Sequence, residues 1–552
     1  MKRFTKYRVF ALLGATVLSA LVFWFMLPAV NPVDPNFWAF LLVVAAAYAA
    51  AVLFTGAEKP FSSVSVKSGK GKKAAEMEFP LPRTRGAKAA VGVLLGGLLL
   101  AGILWLIGQP IFNASRYKSL LVREEGNFTE DIAELSMNQI PVVDRDTAQR
   151  LGARKLGEMS DLVSQFEIAE DYTQINLRDK PVRVTPLIYG DIIKWLNNSG
   201  EGVPAYIEVD MVTQDTTLVR LEKGMKYAPC EFLLRDLGRH LRFHYPTKLF
   251  DNYSFEVDEN GTPYWIAPTI RYRIGVWGGR DIGGAVLVNA VTGEHQYYPV
   301  EKIPQWVDQV YRADIVMEQL NYNGKFQDGF FNSYFGQKGV LRTTEGYNYI
   351  AVNDDVYLYT GMTSVASDQS NVGFVLTNMR TKETRFYSVP GAEEMSAMSS
   401  AEGQVQHLNY TATFPLLLNV ADRPTYFMSL KDAAGLVKMY AFVDVERYQL
   451  VGTGASVADA RTSYVKALTQ EEDVDAGAGE SKTGVVAEVT SAVVDGNTSY
   501  YFMLEGENTV YVAPIRVSDR LAFLSVGDSL TFRYTGDPAT ETCEVLSIDY
   551  NQ

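Results

Sequence analysis

Four histidines serve 552 residues, and two of them, His240 and His244, stand four apart in the run RHLRFHYP. On a helix that spacing puts both imidazoles on one face, as when a helix presents two nitrogens to a transition metal. The run lacks the Glu of a His-Glu-x-x-His motif, which would activate metal-bound water, and Arg235, Arg239 and Arg242 surround it with positive charge. No metal site is therefore expected here, and the arginines are assigned to bidentate contacts with acidic faces. His295 and His407 stand apart in sequence. Residues 275–284, GVWGGRDIGG, have glycines like those of a phosphate-cradling loop but not the GxxxxGK[ST] pattern. An ordered hairpin tip or a close protein contact, with Trp277 in it, is the expectation. The acidic runs 251–261 and 321–329 place oxygen ligands near glycines without the spacing of an EF-hand, so calcium would bind only weakly. There is no G-x-S-x-G elbow, and Cys230 and Cys543 read as free, buried thiols. No catalytic, cofactor or metal residue is assigned, and a triad assembled from distant residues stays open.

Aromatic residues are abundant: 31 Tyr, 28 Phe and 7 Trp. Residues 321–339 pack Tyr322, Phe326, Phe330, Phe331, Tyr334 and Phe335 among glycines and polar residues without periodicity. Such a segment either buries itself in its own chain or anchors a partner, and with Trp277 it forms the candidate interface.

These residues must be positioned by a chain that begins in a membrane. Apolar runs at 9–26, 37–54 and 86–112 each have the length of a span, since roughly 20 residues at ~1.5 Å each cross a ~30 Å hydrocarbon layer. The basic N-terminus and the connector 56–88, with eight bases against three Glu, should stay cytoplasmic. Three crossings would then put everything after residue 112 outside the cytoplasm of a bacterial cell, with lipid as the first partner. The connector itself reads as a poorly ordered loop held near anionic lipid. With 12 bases and four acids before residue 113, 39 bases and 60 acids remain, a formal charge near −21. That field argues against a nucleic-acid partner.

Residues 113–180 read as a helical linker region in which Asp146 caps a helix, and 181–468 as a repeated α+β body. Two strand-turn-strand runs, 285–300 and 373–389, match in register: Asn289 and Asn378, Thr292 and Thr381, Glu294 and Glu383, Tyr298 and Tyr387. A looser third copy, 438–454, lacks the Thr-x-Glu turn, and each hairpin leads into a helix candidate. The pattern resembles the PepSY type of repeat. That resemblance implies a helix on a small antiparallel sheet with a binding, inhibitory or assembly role, and it supplies no active residues. An acidic linker, 469–482, precedes a β-barrel over 483–552 whose strands and GDSLTFRY run resemble an OB-fold. The expected fold class is a membrane-anchored α+β chain with three transmembrane helices, repeated sheet-plus-helix units and a small C-terminal barrel. The expected function is a non-enzymatic scaffold or binding subunit of a bacterial cell-envelope complex, with protein partners or further copies of itself. A membrane-anchored extracytoplasmic hydrolase or peptidase and a transporter-associated accessory chain are the alternatives.

Overall fold

The computed structural model describes residues 2–55, 61–68, 75–82, 85–133, 139–352, 354–365, 370–475, 480–494, 497–536 and 542–550. Among them the chain is mixed α+β, with four sheets in the body, antiparallel except where Arg123–Glu125 joins Thr384–Tyr387 in parallel, and a closed five-stranded barrel at the C-terminal end.

One N-terminal helix, Val9–Met26, is long and apolar enough to cross a membrane. The other two expected spans differ. Pro35–Ala51 is apolar but shorter, and Leu95–Ile107 reaches span length only together with Pro110–Lys118, from which it bends by 47°. Gly108 and Pro110 account for the bend, because proline cannot donate to the preceding turn. Part of the connector expected to be a loop is a hairpin: Phe61–Ser68 pairs antiparallel with Ala75–Pro82. Alternation in FSSVSVKS satisfies the period of a strand. The rest of the connector, at 56–60, 69–74 and 83–84, lies outside the described residues.

The body repeats one unit four times among the described residues. Each unit opens with a helix: Arg145–Gly157, Leu237–His244, Ala313–Lys325 and Glu394–Gln404. Two short strands follow, and both pair with one edge of the same long strand: Lys180–Tyr189, Pro263–Ile274, Asp355–Ser364 or Arg423–Lys431. Its other edge pairs with a fourth strand, which pairs with a fifth. A register shift recurs in the third-to-fourth strand pair of three units, after Thr269, Met362 and Leu430. Helices do follow the hairpins at 373–389 and 438–454, as Glu394–Gln404 and Val457–Asp475, and the latter packs on its own hairpin, while the helix after 285–300 begins only at Ala313. The first unit, over residues 145–225, escaped the sequence register although it carries the same turn.

That turn is built by one side chain. Asn289 Oδ1 accepts from the Val291 and Thr292 amides, Asn378 Oδ1 from Arg380 and Thr381, and Asp210 Oδ1 from Val212 and Thr213. Thr292, Thr381 and Thr213 then accept from the amides of Glu294, Glu383 and Asp215. The Asx and Thr oxygens mimic backbone acceptors, which is why the matched register recurs.

Two boundaries move. Asp144, not Asp146, caps the first unit's helix, accepting from Thr147 N at 2.9 Å, and the helix Val457–Asp475 runs into the expected linker 469–482. Glu, Ala and Gln there are good helix formers. The barrel begins with Glu480–Val494 and closes through a parallel pairing of Val510–Pro514 with Thr542–Tyr550.

The body is fastened to the ends of the N-terminal helices. Arg242 Nε donates to Leu27 O (3.0 Å), Val30 N to Pro246 O (2.7 Å), Asn31 Nδ2 to Thr247 O (3.0 Å) and Trp277 Nε1 to Val33 O (2.9 Å). The glycine run 275–284 is therefore a hairpin tip wedged between two chain reversals. Gly275, at φ +58°, would bring a Cβ to 3.1 Å from Gly108 Cα, and a Cβ on Gly278 would meet Gly108 O at 2.9 Å. Backbone could not approach so closely with larger residues.

Candidate metal centre

The second unit carries a feature its sisters lack. Its helix Leu237–His244 is capped by Asp236, which accepts from Arg239 N at 2.8 Å, and buries Leu237 and Leu241. With those two residues inward, His240 and His244 share the face toward the Asn289–Glu294 turn. The fifth strand of the unit, His295–Pro299, starts immediately after that turn. One metal-ligand nitrogen from each of His240, His244 and His295 lies within 4.8 Å of the others. Three of the chain's four histidines thus converge, while His407 stands in a separate turn, Gln406–Leu408.

The second ring nitrogens decide what this cluster can do. His240 Nε2 is 2.9 Å from Gly293 O, and His244 Nδ1 is 2.7 Å from His240 O. A carbonyl only accepts, so each of these nitrogens carries the proton and the other nitrogen of the ring keeps a lone pair. His295 Nδ1 is 3.0 Å from the Tyr245 hydroxyl, which completes the set. Outer hydrogen bonds of this kind fix tautomer and orientation in metal-ligating histidines. Burial first, then the neighbouring imidazoles, lowers the His240 pKa, against a pull upward from Gly293; burial and His244 lower that of His295. Both rings are therefore held neutral, as ligation requires. Nitrogens ~2.0–2.1 Å from a tetrahedral zinc stand about 3.4 Å apart, so closure needs a shift of at most about 1.5 Å, and His244 is exposed and able to make it.

The arginines that argued against a cation face elsewhere. Arg242 spends its guanidinium on the carbonyls of Leu27, Tyr245, Pro246 and Lys248, Arg239 lies over the Trp24 ring at 4.9 Å, and Arg235 donates to Ser199 O at 2.6 Å. None contributes to the shift of either lowered histidine. Helical periodicity explains this, since residues 239 and 242 share a face that 240 and 244 do not. The third ligand was invisible because 51 residues separate His244 from His295. The signal that locates it is the Asx turn: six residues after Asn289 comes His295, where six after Asp210 and Asn378 come Thr216 and Thr384.

Three neutral imidazoles leave a divalent ion its full charge and at least one open position, the donor set suited to Zn²⁺, Cu²⁺, Ni²⁺ or Co²⁺. Two clefts among the described residues lie elsewhere, one lined by Val142, Met211 and Phe414, the other by Gln149, Phe166 and Tyr172. Neither contains a histidine.

The residues of the candidate interface divide. Phe326 is buried against Tyr117 and Ile274, with Tyr322 and Phe330 packed on the same cluster. Phe331, Tyr334 and Phe335 are exposed, and Trp277 is the ligand of Val33 O described above. In the acidic runs, Asp258 Oδ1 accepts from the amides of Asn260 and Thr262, so one of the oxygens considered for calcium serves a turn. Cys230 and Cys543 are not joined in a disulfide, and burial pushes the Cys230 thiol up to about 12, which leaves it an inert thiol at neutral pH.

No protein-family model matches the chain, and no curated protein matches it.

Proposed function

We propose that this chain is a membrane-anchored, metal-binding scaffold or binding subunit of a bacterial cell-envelope complex. The Val9–Met26 helix crosses the membrane with the shorter apolar segments Pro35–Ala51 and Leu95–Ile107 beside it in the anchor, the N-terminus stays in the cytoplasm, and the four-unit body and the barrel stand outside. The observation that carries the reading is the convergence of His240, His244 and His295, each with one ring nitrogen hydrogen-bonded, on a helix whose opposite face holds Leu27 and Trp24. A divalent transition metal there would clip the helix to the last strand of its unit, close to where the body meets the membrane. The fourth position is then available to a donor from a partner. A hydrolase would use the same open position for a water that a bound zinc would acidify, so the three-histidine cluster also supports that second reading.

The experiment is purification of the full chain from native membranes in mild detergent, with metal analysis and partner identification. About one zinc-class ion per chain, lost in His295→Ala, together with stoichiometric partners is the expected result. Turnover of a peptide or ester by the isolated chain, abolished by His295→Ala, would replace the scaffold with the hydrolase. A chain without metal after exposure to zinc would remove the site.

A further inference from the structure

Beyond the metal, the lower side of the body carries apolar surface with no protein over it. One patch joins the short helix Ile192–Asn198 to the turn Leu233–Arg235: Ile193, Leu196, Leu233 and Leu234 are each more than 60 % exposed. Trp195 packs on Phe232 at 4.8 Å and ties the two elements together. This patch is continuous with the end of the first apolar helix, because Phe243 contacts the rings of Phe23 and Trp24 and Arg239 covers Trp24. The other patch comprises Phe331, Tyr334 and Phe335, the last 84 % exposed, beside Phe112 of the oblique helix Pro110–Lys118. It is continuous with the end of the third apolar segment through Tyr117, whose hydroxyl donates to Gly108 O and whose ring meets those of Tyr322 and Phe326.

Charge follows the same map. In a body near −21, bases stand at both patches: Lys194, paired with Asp191, Arg235, bonded to Ser199 O, and Arg239, paired with Asp236, at the first, and Lys118, bonded to Gln327 O, and Lys325, over the Tyr334 ring at 4.4 Å, at the second. Exposed apolar tips with bases at their rim are the composition of an interfacial, monotopic face. Trp and Tyr near helix ends belong at the same depth.

We infer that these two patches are the seat of the body on the bilayer: Leu233, Leu234, Phe331 and Phe335 enter the outer leaflet between headgroups, with Lys325 and Lys338 at the level of the lipid phosphates. The inference rests on the membrane placement proposed above. The oblique Pro110–Lys118 helix then runs along the interface, and the hairpin tip at 275–278 stands between the two contacts. The metal-bearing helix, whose outer face abuts Trp24, is held at a fixed height above the lipid.

The test uses the full chain in nanodiscs of phosphatidylethanolamine and phosphatidylglycerol. Single cysteines, Leu234→Cys and Phe335→Cys, are introduced into a Cys230→Ser, Cys543→Ser background and labelled with an environment-sensitive fluorophore. Leu18→Cys, on the first apolar helix, and Phe523→Cys, 82 % exposed on the barrel, serve as controls. Nitroxide placed high on the acyl chain should quench positions 234 and 335 several-fold more than position 523. Quenching at 18 with positions 234 and 335 no more quenched than 523 would overturn the seat and leave the anchor standing. Loss of quenching at 18 as well would overturn both. Shielding of 234 and 335 that appears only with a co-purified protein, and not in lipid, would assign the patches to that protein and overturn the inference.

Discussion

Tyr245→Phe should weaken divalent-metal binding without harming the fold. The Tyr245 hydroxyl lies 3.0 Å from His295 Nδ1, and its ring packs edge-on to His295 at 5.3 Å and to Phe250 at 6.4 Å. Phenylalanine keeps both ring contacts and removes only the oxygen, so the hydrogen bond that orients the His295 ring is lost. Loss of such an outer hydrogen bond typically costs 10- to 100-fold in metal affinity, or about 1.4 to 2.7 kcal/mol. The readout is thermal. At a free metal concentration 100 times the wild-type Kd, binding to the folded state alone adds about 2.7 kcal/mol; at 100-fold weaker affinity the same concentration adds about 0.4 kcal/mol. For a cooperative unit of 150 to 250 residues, where 1 kcal/mol moves Tm by about 2 to 4 °C, the wild type should gain about 5 to 11 °C and a 100-fold weaker Tyr245→Phe about 1 to 2 °C. Differential scanning fluorimetry of the chelator-stripped full chain at pH 7.5, with and without Zn²⁺ or Co²⁺, measures both. An equal shift in wild type, Tyr245→Phe and His295→Ala would refute the site, because metal would then be acting elsewhere.

Three further outcomes follow from buried charge and from the docking of the body. Glu256 and Asp308 are buried together: desolvation raises Glu256 to about 7 against hydrogen bonds from the Asp308 and Gln309 amides, and desolvation followed by the Glu256 charge raises Asp308. Both folded pKa values lie above the unfolded ones, so the contribution is complete below about pH 4 and is lost as pH rises, for Glu256 through about 7. Urea melts should show stability falling by up to about 3 kcal/mol between pH 5 and 8, and Glu256→Gln should flatten that slope; a slope unchanged in the variant would clear the pair. Lys382 Nζ meets Asp281 Oδ1 at 2.6 Å and Leu120 O at 2.9 Å, and the Asp281 side chain is only 3 % exposed. Lys382→Met leaves that carboxylate to the half-exposed Arg273 and should destabilise by about 3 kcal/mol, a loss read from the urea midpoint and contradicted by a change within 0.5 kcal/mol, the ~0.5 kcal/mol scatter of surface substitutions. Arg242→Ala removes the clamp on the carbonyls of Leu27, Pro246 and Lys248, so hydrogen exchange in residues 27–34 should quicken by an order of magnitude or more while the barrel is unaffected.

Much of the architecture was legible because local chemistry wrote it. The Asn-x-x-Thr-x-Glu turn was visible as a register because one Asx oxygen and one threonine hydroxyl must fall at fixed offsets to satisfy the turn amides. The C-terminal barrel was visible as alternating strands between tight turns. What failed were choices between neighbours. The Glu394–Gln404 helix packs on the sheet that follows it, and nothing in its own apolar spacing distinguishes that from the sheet before. The connector hairpin and the helix Val457–Asp475 were hidden by charge: Lys, Glu and Gln signal solvent, and solvent-facing residues occur as readily on strands and helices as in loops.

The histidines show how far the repeat could have been taken. Asp210, Asn289 and Asn378 begin the same turn, and the sixth residue onward is Thr216, His295 or Thr384. Thr384 is buried and bonds Thr377 across the strand pair at 3.1 Å, so in the third unit this position is a packing position of the fifth strand. A histidine there in the second unit breaks the pattern of its sisters, and its unit is also the one whose opening helix holds two histidines. Two departures from one repeat, both of the same rare residue and both meeting at one point, are difficult to ascribe to packing: the rings of His244 and His295 stand 4.3 Å apart, half-wet, where threonine serves elsewhere. Placing threonine at 295 restores the sisters' residue. His295→Thr should therefore keep the stability of the metal-free chain and abolish the metal-induced rise in Tm. A loss of metal-free stability of more than about 1 kcal/mol, with no metal response in the wild type, would make the cluster a packing device of the second unit instead.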